Sequence, residues 1–234
     1  MDNDRKAELH EKLAETRATL ARLAADNGRH DVPELLPVTK FHPARDVALL
    51  GELGVKDVGE NREQEARAKA AEVPGMNFHM IGQVQSKKAN HVARWAASVH
   101  SVDSVKLARG LDRGVALAHE REQRTGNLPV FIQYSADADA QRGGVAPDGV
   151  DELVAEVEEL PGLELAGFMV VPPVEADAFT VFSTVRSVCD SWAERLERPL
   201  KLSAGMSADL PAAVATGSNI VRVGTGILGP RSVG

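Results

Sequence analysis

Short apolar runs alternate with helical segments along nearly the whole chain, and this alternation constrains the fold more than any other feature. The apolar runs fall at residues 35–39, 55–59, 78–82, 99–102, 129–134, 163–171, 200–204 and 220–223. Segments 44–53, 61–72, 84–96, 105–124, 149–160, 177–196 and 208–216 carry apolar residues at helical spacing instead. Each run except the last is thus followed by a helix. The connections are short and rich in Gly, Pro and Asp, as strand–helix units require.

Strands that alternate with helices build a parallel sheet covered by those helices. Eight such units in 234 residues predict an α/β fold of one kind, a closed (β/α)8 TIM barrel, which takes roughly 250 residues. An open doubly wound sheet would carry a Gly-rich turn after its first strand, and here that place holds Thr39-Lys40-Phe41. An extra helix precedes the first strand: Leu9, Leu13, Leu20 and Leu23 recur among charged residues over 4–26, and Asn27-Gly28 supplies a stop. No linker or composition break divides the chain. Residues 1–234 are therefore expected to form a single domain, with 4–27 a capping helix that closes the outer layer or serves a partner.

Composition excludes several classes of function. A formal net charge of −7 argues against general nucleic-acid binding. No apolar stretch approaches the roughly 18 residues of a membrane span. The N-terminus is charged from Asp2 onward, unlike a secretory signal, so the cytoplasm is the expected compartment. The single cysteine, Cys189, lies in a helical pattern and reads as a small core residue, leaving no internal disulfide and no cysteine-based metal site.

In a barrel the C-terminal ends of the strands share the face that carries the site. Lys40 ends the first run there. Loss of hydration at the mouth of a core favours the neutral amine, which forms a Schiff base with an aldehyde; a lysine in this place also simply points to water. The seventh run ends in Ser203-Ala204-Gly205-Met206-Ser207, with Ser207 expected to open the helix that follows. The eighth ends in Arg222-Val223-Gly224-Thr225-Gly226. Free backbone amides and hydroxyls at these two strand ends suit a phosphate, though an N-cap and a tight turn look the same when each is taken alone. Arg222 shares a strand face with Gly224, and a guanidinium there needs a carboxylate or a ligand. A Schiff-base lysine, a phosphate cradle and a fixed cation together describe a pocket for pyridoxal 5′-phosphate (PLP). Arginine at the ring nitrogen would leave the ring unprotonated and a weak electron sink.

The sequence resembles the YggS/PROSC family of PLP-binding proteins, the PLP homeostasis family. The resemblance rests on Pro37-Val38-Thr39-Lys40, Gly59-Glu60-Asn61, the segment from His79 to Lys88, Gly167-Phe168-Met169, Gly205-Met206-Ser207-Ala208-Asp209, and the segment from Val221 to Gly229. It implies a barrel like the alanine racemase N-terminal domain, with PLP as cofactor. It implies further that Lys40 is the Schiff-base residue and Arg222 the partner of the ring nitrogen. Ser207, Gly224 and Thr225 would bind phosphate, and Asn61 and Met206 would line the pocket. Thr39 stands where serine is commoner in the family, and Gln83-Val84-Gln85 and Pro211 also depart from its pattern.

Racemases and decarboxylases of this fold type add a second, β-rich domain that supplies a catalytic residue and helps form a dimer. The chain carries one tyrosine, Tyr134, in the fifth run, where a core or pocket-wall role is expected. The expectation is a monomeric carrier or regulator of intracellular PLP (vitamin B6), with apo PLP-dependent enzymes as recipients and no catalysis of its own. The alternative is a small PLP-dependent amino-acid racemase or lyase. Lys87 and Lys88 read as a solvated turn or a second cofactor site; His79 and His100 as satisfied core residues; His42, Pro172 and Pro173 as shapers of the rim.

Overall fold

The computed structural model describes residues 2–137, 139 and 142–230. Eight strands form one parallel sheet in the order β1-β8-β7-β6-β5-β4-β3-β2. They are β1 (Glu34–Pro37), β2 (Asp57–Glu60), β3 (Asn77–Met80), β4 (Ala96–Val102), β5 (Leu128–Tyr134), β6 (Leu163–Val170), β7 (Lys201–Ser203) and β8 (Ile220–Val223). The edges meet where Val38 bridges Gly59 and the Thr39 N–H donates to the Gly59 carbonyl at 3.0 Å. The sheet is thereby nearly closed into a barrel.

The helices that cover it are α1 (Asp2–Asp26), α2 (Ala44–Glu52), α3 (Glu63–Glu72), α4 (Ala89–Trp95), α5 (Val105–Glu120), α6 (Val150–Glu159), α7 (Ala178–Arg195), α8 (Leu210–Ala215) and α9 (Thr225–Leu228). The eightfold alternation and the leading helix stand as expected. Two details differ. A one-turn helix, α9, follows the last strand, and the segment at 84–96 splits into a 3₁₀ turn (Ser86–Lys88) and the shorter α4. Both are too short to leave a helical period in the sequence.

Side chains alternate across each strand, so one set faces the helices and the other fills the barrel. Val99, Val130, Ile132, Phe168, Leu202 and Val221 belong to the large outer core. Leu36, Phe131, Met169 and Ile220 form a separate inner cluster. The alternate residues Ser98, His100, Ser203 and Arg222 are buried polar groups of the inner set. Cys189 is fully buried in α7, and burial pushes its thiol up to about 11.

Helix α1 buries Leu9, Leu13, Leu20 and Leu23 as one stripe. Arginines latch it at both ends. Arg5 donates to the Leu228 carbonyl of α9 at 2.9 Å and pairs with Asp46 of α2 at 2.8 Å. Arg29 donates to the Val214 and Ser218 carbonyls beside α8 at 3.1 and 2.9 Å. The helix thus spans the seam where the first and last units of the barrel meet.

Candidate functional site

Lys40 stands in the turn that follows the C-terminal end of β1, half-buried, just after the buried pair Val38 and Thr39. Its ammonium has no hydrogen-bond or ion-pair partner among the described residues, whereas the backbone on either side is tightly held. The Thr39 carbonyl accepts from Lys69 Nζ at 2.7 Å, and the Phe41 N–H donates to Glu65 Oε1 at 2.6 Å. Lys69, from α3, also donates to Glu60 Oε1 and Glu65 Oε1, each at 2.7 Å, and the Thr39 hydroxyl donates to that same Glu60 oxygen at 2.5 Å. Phe41 is forced to a φ of 66°, a left-handed value that costs a phenylalanine about 1 kcal/mol or more. Lys40 is therefore carried on a bend clamped from behind by one buried cation and two carboxylates. Burial raises the Glu60 pKa against the opposing pull of Lys69 and Thr39.

The loops after β7 and β8 come together beside that bend. A Cβ placed on Gly224 would lie 3.4 Å from the Val38 carbonyl oxygen, and one on Gly226 would lie 3.4 Å from Ser207 Oγ. Gly205 adopts a φ of 99°, and a Cβ there would collide with Ala213, so this bend admits only glycine. The Met206 N–H donates to Asp209 Oδ1 at 2.5 Å, closing the turn that presents Met206 and Ser207 outward. Ser207 does not open the helix as expected. Asp209 occupies the N-cap position and α8 begins at Leu210, because the aspartate side chain folds back on the turn. Across the gap, Ile227 and Leu228 both donate to the Gly224 carbonyl, at 2.9 Å each. The Thr225 and Gly226 N–H groups, first in α9, have no partner within that helix.

Arg222 lies inside the barrel, 4% exposed. Its Nη1 donates to Ser203 Oγ at 2.9 Å and its Nη2 to the Val170 carbonyl at 3.0 Å. No carboxylate touches it among the described residues. Burial pushes the guanidinium down to about 10, with Asp209 opposing from a distance. A cation left this short of neutralising partners suits a ligand that supplies an acceptor.

A cavity of about 340 Å³ opens on the same face, lined by Asn61, Gly82, Gln83, Tyr134, Arg142 and Met169 among others. Gly82 is required there, since a Cβ would fall 2.1 Å from the Asn61 carbonyl oxygen. Tyr134 is buried in the wall, and burial raises its pKa. Of the predicted residues, Asn61 lines this cavity. Lys40, Met206, Ser207, Arg222, Gly224 and Thr225 occupy the adjoining β1–β8–β7 arc. Lys88 pairs with the buried Glu63 at 3.2 Å, and Lys87 is exposed. His42 is buried 3.6 Å from Asp46, so it packs behind the loop and does not shape the rim.

Sequence reasoning missed the clamp behind Lys40 and the cation Arg142 at the mouth. Glu65 and Lys69 are four residues apart, which reads as an ordinary surface pair; nothing local marks Lys69 as buried. Among the described residues there is no cluster of His, Cys, Asp and Glu suited to a metal ion, and no helix is long and apolar enough to cross a membrane.

Comparison with known proteins places this geometry. The family model "Alanine racemase, N-terminal domain" matches residues 12–232. The pyridoxal phosphate homeostasis protein of Corynebacterium glutamicum is 55% identical over 216 residues, covering 90% of this chain and 98% of that protein. Its counterpart in Escherichia coli K12 is 34% identical over 233 residues, covering 94% and 95%. The structure of PipY from Synechococcus elongatus with PLP bound superposes with a TM-score of 0.80 at 30% identity, over 94% of this chain and all of that one (100%). Alanine racemase from C. glutamicum shares the fold alone, with a TM-score of 0.71 at 13% identity, and the match takes in 62% of its chain. With the family model spanning most of the chain and relatives this similar over nearly their full length, the chain belongs to the pyridoxal phosphate homeostasis protein family, built on the alanine racemase N-terminal fold.

Proposed function

We propose that this protein binds PLP as a Schiff base on Lys40 and serves intracellular PLP homeostasis as a carrier, without turnover of its own. The observation that carries the reading is the buried Arg222, which has hydrogen bonds to Ser203 and Val170 but no contacting carboxylate among the described residues, set on the strand beside the one that leads to Lys40. The residues present suit the group. The Lys40 amine condenses with the aldehyde and releases water. Ser207, Thr225 and the amides at Gly224 and Gly226 receive the phosphate, Arg222 donates to the ring nitrogen, and Asn61 and Met206 border the ring.

When bound, the cofactor supplies an electron sink for carbanions, and Arg222 weakens it. A guanidinium only donates, so it cannot hold a proton on the pyridine nitrogen as a carboxylate would. Two-base chemistry also needs a second acid or base across the cofactor. The one tyrosine, Tyr134, is buried in the wall with its hydroxyl held protonated. Both features favour holding over reacting. In this reading the chain is one domain, works in the cytoplasm as a monomer, and passes PLP to apo PLP-dependent enzymes.

Titrating the apo protein with PLP while following visible absorbance, then adding amino acids or an apo enzyme, tests the proposal. Uptake to one equivalent, reactivation of the apo enzyme and unchanged amino acids are expected. Racemisation or product formation at catalytic rates would overturn the carrier role, and no uptake would overturn the cofactor.

A further inference from the structure

A continuous hydrogen-bonded column threads the barrel from Arg222 to the opposite mouth. Arg222 Nη1 donates to Ser203 Oγ at 2.9 Å, and Ser203 Oγ lies 3.0 Å from His100 Nδ1. His100 Nε2 is 2.8 Å from Ser98 Oγ, Ser98 Oγ is 2.7 Å from His79 Nδ1, and His79 Nε2 is 3.0 Å from Asp57 Oδ1. These residues come from β8, β7, β4, β3 and β2, and all face inward by strand alternation. Asp57 is half-exposed at the N-terminal mouth, where Asn77 also donates to it at 2.9 Å.

The two ends fix the order of the whole column. Guanidinium has only donors and a carboxylate only acceptors. Each hydroxyl and each neutral imidazole between them has one proton to give along the line. With both imidazoles neutral, every bond is made only if all protons point from Arg222 toward Asp57, each ring then being the Nε2–H tautomer. His100 is held neutral by burial, its pKa well below the ordinary value, with the charges of Arg222 and Lys201 adding to the effect. The aligned dipoles turn their negative ends toward the buried guanidinium, which has no contacting carboxylate among the described residues.

We propose that this column is the positioning device for Arg222: its one-way order locks the guanidinium in place as a donor and couples the cofactor pocket to Asp57 at the far mouth. The inference rests on the reading of Arg222 as the ring-nitrogen partner, but the order of the column can be tested without PLP.

Ring nitrogens of the 15N-labelled apo protein report the tautomers. Nε2–H at both His79 and His100 is expected, and Nδ1–H at either ring overturns the order. Asp57→Ala, at the exposed end, should mix the His79 tautomers and weaken PLP binding by about threefold to tenfold, as loss of one hydrogen bond would. Ser203→Ala should do the same from the inner end and shift the absorption of the bound cofactor. Glu34→Gln, exposed at the N-terminal end of β1 and outside the column, should change neither readout. Asp57→Ala with unaltered tautomers and unaltered PLP affinity would sink the coupling. If the unmodified protein takes up no PLP, the cofactor reading falls and the tautomers still decide the column.

Discussion

Lys69 Nζ lies 2.7 Å from the carbonyl oxygen of Thr39, the residue that precedes Lys40. A buried cation from α3 therefore holds the backbone at the site while the site lysine itself stays unpaired among the described residues. The two lysines divide the work, one fixing the bend and the other presenting an amine.

Replacing Lys69 with methionine leaves Glu60 buried without its cation. Removing one partner of a buried ion pair costs about 3–5 kcal/mol, which in a chain of this size lowers Tm by roughly 10 °C. Lys69→Met should lose PLP occupancy as well, and adding Glu60→Gln should recover part of the lost stability. Thermal melts of the parent and the two variants check this; a single variant with the parent Tm would dismiss the clamp.

Gly82 has no room for a side chain, with a Cβ only 2.1 Å from the Asn61 carbonyl oxygen. Gly82→Ala should cost about 3 kcal/mol by overpacking and displace Asn61 from the mouth. Denaturant unfolding gives the first effect, and the PLP dissociation constant the second.

His100 makes stability depend on pH with a definite sign. Its folded pKa is depressed by burial, so below about pH 6.5 the unfolded chain takes up a proton that the folded protein refuses. The contribution is complete above that pH and is lost as pH falls through it, by up to about 1.4 kcal/mol per pH unit. His100→Gln should flatten the slope between pH 6.5 and 5 by that amount in denaturant melts. His42, whose pKa burial also lowers, contributes equally to both proteins and cancels.

Ser207 and Thr225 should affect ligand binding and not folding. Ser207 is exposed, and Thr225 opens a one-turn helix. Ser207→Ala and Thr225→Ala should each weaken PLP binding by about tenfold, the loss of a hydrogen bond to a charged group, with Tm unchanged. Pyridoxal, which lacks the phosphate, should not distinguish the variants from the parent.

Much of this architecture is legible in the chain because it rests on local periodicity. All eight strands fall where apolar runs alternate with helical segments, and Ile220–Val223 matches to the residue. Strand ends with special residues also read through, as at Lys40, Gly205 and Gly224. What the sequence hides depends on burial or on distant partners. Glu65 and Lys69 look like a solvated helical pair yet clamp the site from inside. His100 and Ser203 meet across a separation of 103 positions, so no local pattern announces their contact. The turn at Ser207 resembles a helix start because Ala208-Asp209-Leu210 suits one; the Asp209 side chain decides otherwise.

The most direct measurement reduces the PLP-loaded protein with borohydride and maps the modified residue by mass spectrometry, with Lys40→Ala alongside. The account predicts a yellow protein that bleaches on reduction, a single pyridoxyl label on Lys40, and no label in Lys40→Ala. PLP retained with the label on Lys87, Lys88 or another lysine, or retained in Lys40→Ala as fully as in the parent, would contradict it.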